Sequence, residues 1–372
     1  MLELINEAKN RGGGLILNFE DKPAVVVLTV EKYNELLNQS PQAAGKPWVK
    51  SKVLVTGGAG YVGGHLVKEL IKAGCEVVVL DNLSTGKREN LDPKAVFIEG
   101  DLADENLLSD IFGAHKFEAV FHMAASLEVE ESVLDPQKYF NDNVANTWRL
   151  LSAMAQSECK KIIFSSTAAV YGEVENYPIA ENSPLRPTNP YGASKLLAER
   201  VIKFYCEYMG FQAVVFRYFN ACGFDLEARV LPTHHSHLIH NVIQVAKGVR
   251  PALKVFGNDY KTFDGTCIRD YVHVTDIVLP HILALNKMWE GAKFETYNIG
   301  TGKGSSVAEV VSTASEVLNK IIPMEMGPRR AGDVPAAVAD NSKLLEGLGY
   351  ELKYSSLKNI ITTSWEVMKD IN

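Results

Sequence analysis

The chain has 372 residues, 46% of them hydrophobic, enough to bury a large core and to fill two main domains. A formal net charge of -7 and a pI near 5.8 argue against nucleic acid as its main partner. Cys75, Cys159, Cys206, Cys222 and Cys267 have neither CxxC nor zinc-ligand spacing, no run is apolar for long enough to span a bilayer, and MLELINEAKNRG lacks a signal-peptide core. A soluble, reduced, cytoplasmic protein without membrane attachment is therefore expected.

Residues 1–48 precede the first strand of the main fold and form an α+β appendage. Helices are expected over 2–10 and 30–37, a hairpin from 15–18 and 24–28, and a proline- and glycine-containing linker over 39–47. From residue 51, strand and helix patterns alternate. Val53, Leu54 and Val55 predict a buried strand running into a turn with Gly57, Gly60 and Gly63, followed by a helix over 65–72. Such a turn brings backbone N–H groups and a helix N-terminus to one point, where they neutralise a pyrophosphate. The next strand, 76–80, ends in Asp81-Asn82, whose carboxylate suits the ribose hydroxyls of NAD and repels the extra phosphate of NADP. No GK[ST] follows the glycines, which disfavours a nucleotide hydrolase.

Further strands are expected at 96–99, before Asp101 and Leu102, and at 119–122, before Met123 and Ala124, whose position suits a flat cofactor. A long helix over 139–156 leads to a strand at 161–164 and the stretch Ser165-Ser166-Thr167. Another helix carries Tyr191 and Lys195, and 213–216 is the last strand expected in this domain. Together these elements predict a doubly wound parallel sheet of Rossmann type over 49–222, with right-handed crossovers. After Asn220 the alternation breaks, and 223–372 reads as a smaller mixed α/β substrate domain whose helix over about 270–287 packs back on the first. His234, His235, His237 and His240 cluster without an accompanying cysteine or patterned carboxylate, so no metal site is expected.

Tyr191 and Lys195 are four residues apart and share one helix face. The lysine ammonium, helped by a positive nicotinamide, is expected to favour the phenolate and make Tyr191 a base near neutral pH, with Thr167 bonded to the same substrate oxygen.

The motifs GGAGYVG (57–63), LDNL (80–83), EGDL (99–102), SSTAAVYG (165–172), YGASK (191–195), RYFNACG (217–223), YNIG (297–300) and PRRAGD (328–333) resemble the extended short-chain dehydrogenases, and within them the UDP-glucose 4-epimerase family. The resemblance runs from about residue 51 to the C-terminus. It implies a retained NAD, a UDP-hexose substrate, a homodimer, and reversible 4-epimerisation through a 4-keto sugar. Tyr191 is then the base, Lys195 orients it and the nicotinamide ribose, and Thr167 assists proton transfer. It implies NAD contacts at Gly57, Gly60, Tyr61, Val62, Gly63, Asp81, Asn82, Asp101, Leu102, Met123, Ala124, Asn143, Lys195 and Tyr218. On the UDP-sugar it places Thr167, Tyr191, Asn220, Leu238, Phe256, Arg269, Arg330 and Asp333, with Tyr297 as a wall beside the sugar 2-position. UDP-pentoses and UDP-N-acetylhexosamines are alternative substrates. A 4,6-dehydratase is disfavoured, because Ala168 and Ala169 after Thr167 cannot move a proton. Residues 1–40 are similar in part to antitoxins of the prevent-host-death family (DKPAVVVL, VEKYNELL) but lack most of the helix that touches DNA there, so a packing or oligomerisation appendage is expected.

Overall fold

Runs that are apolar at every position, such as KVLVT and EVVVLD, suit strands covered by helices on both faces. The computed structural model describes the backbone of 14–19 and 22–28 and residues 51–174, 176–233, 237–330 and 334–371. The chain divides into two compact units, Met1–Pro47 and Trp48–Asn372. In the first, β1 (Gly14–Phe19) and β2 (Lys22–Leu28) pair antiparallel, the hairpin expected there. The expected flanking helices and the linker lie outside the described residues.

The second unit begins β3 (Lys52–Thr56), α1 (Tyr61–Lys72), β4 (Glu76–Asp81), β5 (Val96–Glu99), α2 (Glu105–Ala114), β6 (Ala119–His122), α3 (Val129–Leu134) and α4 (Pro136–Phe140). A π-helical turn (Asn141–Ala145) leads into α5 (Asn146–Gln156), β7 (Lys161–Thr167), α6 (Pro190–Tyr208), β8 (Gln212–Tyr218) and β9 (Asn220–Cys222). Next come α7 (Leu238–Ala246), β10 (Leu253–Phe256), β11 (Ile268–Arg269), β12 (Tyr271–His273), α8 (Val274–Trp289) and β13 (Phe294–Ile299). The described chain ends with β14 (Ser305–Ser306), α9 (Val307–Leu318), β15 (Met324–Gly327), β16 (Ala336–Ala337), α10 (Ser342–Leu348) and α11 (Leu357–Met368).

Seven parallel strands form one sheet in the order β13-β8-β7-β6-β3-β4-β5. Successive side chains of β3 enter opposite cores: Val53 and Val55 join Leu66, Leu70, Ile277 and Val278 of α1 and α8, while Leu54 joins Leu108, Leu150 and Ile202 of α2, α5 and α6. This is the doubly wound sheet that the alternation predicts. A third core, with Val242, Val255, Val310 and Ile360, binds α7, β10, α9 and α11 beside three small sheets. Among the described residues no helix is long and apolar enough to cross a membrane.

Two expectations are corrected. The single helix over 139–156 is interrupted by the π-helical turn, whose extra residue turns Asn143 inward to bond a neighbouring loop. The 213–216 stretch is not the last strand of the large sheet. The chain returns through α8 and adds β13 in parallel beside β8, Tyr297 opposite Phe216 and Ile299 opposite Tyr218.

Candidate active site

β3 lies between β4 and β6, so the connections from the two central strands β3 and β6 leave in opposite directions and open a crevice at their carboxyl ends. Gly57, at φ +71°, turns the chain out of β3, and a Cβ there would stand 2.6 Å from the Ala124 nitrogen after β6. A Cβ on Gly63 would stand 2.1 Å from the Gly57 oxygen, so only glycine lets α1 start this close to the turn. Gly60 caps α1 with no side-chain bond, and no acidic residue sits in the first turn. The N–H groups that open α1 therefore have no intrahelical partner and lie at the positive end of its dipole.

At the end of β4, the buried Asp81 accepts from Ala59 N–H on Oδ2 and from Leu83 N–H on Oδ1, each at 2.9 Å. Burial pushes its carboxyl up, and the two N–H bonds oppose that shift. Asn82 donates to Asp101 Oδ2 at 2.6 Å and so ties the ends of β4 and β5, while Leu102 is buried in the core beneath them. Tight glycine approach, an uncapped helix start and a buried carboxylate acceptor fit a dinucleotide. Tyr61 opens α1. Its ring lies edge-on to His65 and Phe224 and its hydroxyl donates to the Gly223 carbonyl, which leaves its N–H for the crevice. Val62 likewise turns its side chain to the core and leaves its N–H.

Thr167 ends β7, and Tyr191 stands in the first turn of α6. Asn189 starts that helix by accepting from Gly192 N–H at 2.8 Å, with Pro190 at the first helical position. Tyr191 lies close enough to Thr167 to feel it electrostatically, Thr167 Oγ1 accepts from Ala169 N–H at 3.1 Å, and the Tyr139 ring meets Tyr191 edge-on at 6.4 Å. Lys195, 2% exposed, places Nζ 4.2 Å from the centre of the Phe164 ring. Burial pushes the Tyr191 phenol up, with the Thr167 hydroxyl opposing. Burial also pushes the Lys195 ammonium down to about 7, with the Glu199 carboxylate opposing. In the chain by itself desolvation penalises both charged forms, so the positive nicotinamide is the remaining source of help for the phenolate.

Tyr218, paired with Thr167 across β7 and β8, bonds through its hydroxyl to His281 Nε2; the His281 Nδ1–H donates to the Ile277 carbonyl. Asn143 is 2% exposed. Its Oδ1 accepts from Ser126 N–H at 2.8 Å, and its amide hydrogens go to the Ser126 carbonyl at 2.9 Å and Ser194 Oγ at 3.0 Å. It ties the loop after Met123 and Ala124 to α6 and is a bracket for the crevice.

Of the substrate-side residues, Arg330 stacks its guanidinium 3.9 Å from the Phe256 ring centre and lies 3.6 Å from Glu130 of α3. Arg269 Nη1 donates to the Ile268 and Val334 carbonyls at 2.9 and 2.8 Å. Asn220 is exposed at the start of β9, and Leu238 is half-buried at the start of α7. Asp333, His234 and His235 lie outside the described residues; His237 precedes α7, and His240 bonds Gln244 at 3.2 Å. Tyr297 lies on β13. It is 3% exposed, its ring packs on Phe216 and meets Lys343 at 5.1 Å, and a Cβ on Gly347 of α10 would touch it. Strand alternation points it into the core under α10.

The sequence reading passed over Glu199 and Arg217. A signal was present: Tyr191, Lys195 and Glu199 recur every four residues on one helix face, and Arg217 interrupts the apolar run AVVF.

The sequence profile of the NAD dependent epimerase/dehydratase family matches residues 53–300. The chain is similar to the UDP-glucose 4-epimerase of Lacticaseibacillus casei, 45% identical over 315 residues, 84% of this chain and 95% of that protein. The crystal structure of UDP-glucose 4-epimerase from Brucella ovis in complex with NAD is 41% identical, with a TM-score of 0.82 over 85% of this chain and 98% of that one. The UDP-Glc/GlcNAc 4-epimerase of Campylobacter jejuni is 38% identical, with a TM-score of 0.75 over 85% and 98%.

Proposed function

Since the chain belongs to the NAD dependent epimerase/dehydratase family, we propose that it interconverts UDP-glucose and UDP-galactose by inverting the sugar at C4, with Thr167, Tyr191 and Lys195 as the reacting set. The observation that supports this reading is the placement of Tyr191 in the first turn of α6, next to Thr167 at the end of β7, with Lys195 buried one turn along the same helix. NAD, when bound, supplies reversible hydride exchange with C4 and a positive ring that favours a nearby phenolate. Tyr191 takes the proton of the 4-hydroxyl, Thr167 holds the same oxygen, and both return the proton once the 4-keto sugar has presented its other face. Lys195 keeps a positive charge behind the pair. Gly57, Gly60, Gly63 and the N–H groups of Tyr61 and Val62 would hold the pyrophosphate of NAD, and Asp81 a ribose. Arg269 and Arg330 would grip the UDP diphosphate, with Phe256, Asn220, Leu238 and Asp333 around the nucleotide.

Denaturing the purified protein should release NAD, and the folded protein should equilibrate UDP-galactose with UDP-glucose. Release of NADP alone, or no conversion, overturns the reading. UDP-N-acetylglucosamine and UDP-pentoses, the alternative substrates, belong in the same assay.

A homodimer is the partner reading. Leu197, Phe204 and Tyr208 of α6, 38, 59 and 76% exposed, fall seven and four residues apart on one stripe. A second copy packed helix to helix would cover them. Phe204→Glu should halve the mass seen by light scattering; a monomeric wild type sinks this part. The five cysteines are free and four are buried, which supports a reducing compartment such as the cytoplasm.

A further inference from the structure

One buried charged pair lies outside the reacting set. Glu199 and Arg217 are each 4% exposed, and they form a fork: Nε donates to Oε1 at 3.1 Å and Nη2 to Oε2 at 2.7 Å. The carboxylate also accepts from Ser166 Oγ, one residue before Thr167 on β7. Arg217 Nη1 donates to the Tyr171 hydroxyl at 2.9 Å and to the Glu181 carbonyl at 3.1 Å. Tyr171 passes its hydrogen to Asn298 Oδ1 at 2.7 Å, and Asn298 N–H donates to Glu181 Oε1 at 2.7 Å. The catalytic helix, three strands and the chain after β7 thus close on one carboxylate.

We propose that Glu199 is a positioning residue for the reaction, holding the charge on Lys195 one turn before it on α6 and fixing, through Ser166, the strand end that carries Thr167. The proposal rests on the epimerase reading above. A buried ion pair is an expensive way to join a helix to a strand, since an apolar pair of similar volume does so with less desolvation. What an apolar pair cannot supply is a fixed negative charge beside a dehydrated ammonium.

The other groups that face this helix do not supply it. His122 on β6 is pushed by burial down to about 3, stays neutral at working pH, and when charged would repel Lys195. Its neighbours Thr56 and Thr147 are hydroxyls at 2.8 Å. Tyr191 on α6 and Tyr218 on β8 are phenols pushed up by burial. Arg217 is itself positive. Glu131 and Asp142, on α3 and the π-helical turn, accept from Lys138 and Ser126, and Glu128, whose backbone carbonyl accepts from Tyr139, acts on Tyr191. Glu199 is the carboxylate that opposes the fall of the Lys195 ammonium.

Glu199→Gln keeps the shape and removes the charge. With Lys195 acting as the cation, its deprotonation sets the alkaline limb of kcat, and without Glu199 that limb moves to lower pH. We expect kcat at pH 8 to fall about tenfold while KM for UDP-galactose changes less than about twofold, the loss shrinking toward pH 6. Glu199→Asp, which keeps the charge, should restore the limb. A uniform loss at every pH, or an unmoved limb, overturns the proposal. If the single variant does not fold, Glu199→Gln with Arg217→Met leaves no unpaired charge; it should fold and show the limb displaced in the same direction, and a wild-type limb there overturns the proposal too. A wild type that does not convert UDP-galactose refutes the functional reading and this inference with it, whereas an active wild type with an unmoved variant limb refutes only the inference.

Discussion

At Tyr191 two demands conflict. Enclosure by α6 and the Tyr139 ring excludes water and raises the phenol, while the proposed base role requires the phenolate; nearby Thr167 opposes the rise. Tyr191→Phe removes the oxygen and keeps the ring, so UDP-sugar binding should persist while kcat falls by roughly two to four orders of magnitude. Calorimetric titration with UDP-galactose beside the rate assay checks it, and near-normal turnover would remove Tyr191 as the base. Asp81 accepts two backbone N–H groups and keeps further lone pairs on both oxygens, the ones the proposed ribose contact would use. Asp81→Asn exchanges one acceptor oxygen for a donor, so it should cost about 1–3 kcal/mol of folding stability and weaken NAD retention. Melting temperature and the NAD released per protomer read the two effects separately.

At the scale of the element, α6 is held where its first turn meets the short turn Ala168–Val170 after β7. A Cβ on Gly192 would stand 2.5 Å from the Ala169 carbonyl oxygen and 3.1 Å from Pro187 Cβ. Gly192→Ala therefore has to push the helix start away from β7, an overpacking of about 1–3 kcal/mol. Because Tyr191 is the preceding residue, its hydroxyl should move away from Thr167, and kcat should drop by at least about tenfold while NAD stays bound. Unchanged kcat with unchanged melting temperature would mean that the turn yields without moving Tyr191. The π-helical turn works in the same way: by turning Asn143 inward it fixes the Ser126 loop to Ser194, and both flank the crevice.

For the whole molecule, burial sets the pH response. His65 and His273 are pushed down to about 4, and His122 and His281 to about 3. Each binds a proton in the unfolded chain near pH 6.5 and in the folded chain only well below it. The unfolded state thus gains protons first, and stability falls as pH drops from about 6.5 toward 4. Asp81 and Asp270, raised by burial, act in the opposite sense but are two against four. The melting temperature should decline steadily between pH 7 and 4.5, and a flat profile would contradict neutral buried histidines. Met1–Pro47 forms its own unit, so a chain starting at Trp48 should keep its circular dichroism and NAD content. Loss of folding would make the appendage part of the core.

The sequence by itself determined the parallel sheet, the glycine turn, Asp81 at the end of the second strand and the placement of Tyr191 and Lys195 on one helix face and Thr167 at a strand end. Each of these is a local requirement: apolar runs for strands buried on both faces, absent Cβ atoms where backbones touch, and helical spacing that puts two side chains on one face. Only the tertiary structure decided that β13 joins the large sheet, that the rings of Tyr61 and Tyr297 pack against the core, and that Asn143 is a bracket. It alone joined Glu199 to Arg217, 18 residues apart, and Tyr171 to Asn298, 127 apart. Those facts depend on which strand neighbours which and on what burial does to a charge, and neither is written in the spacing of residues along the chain.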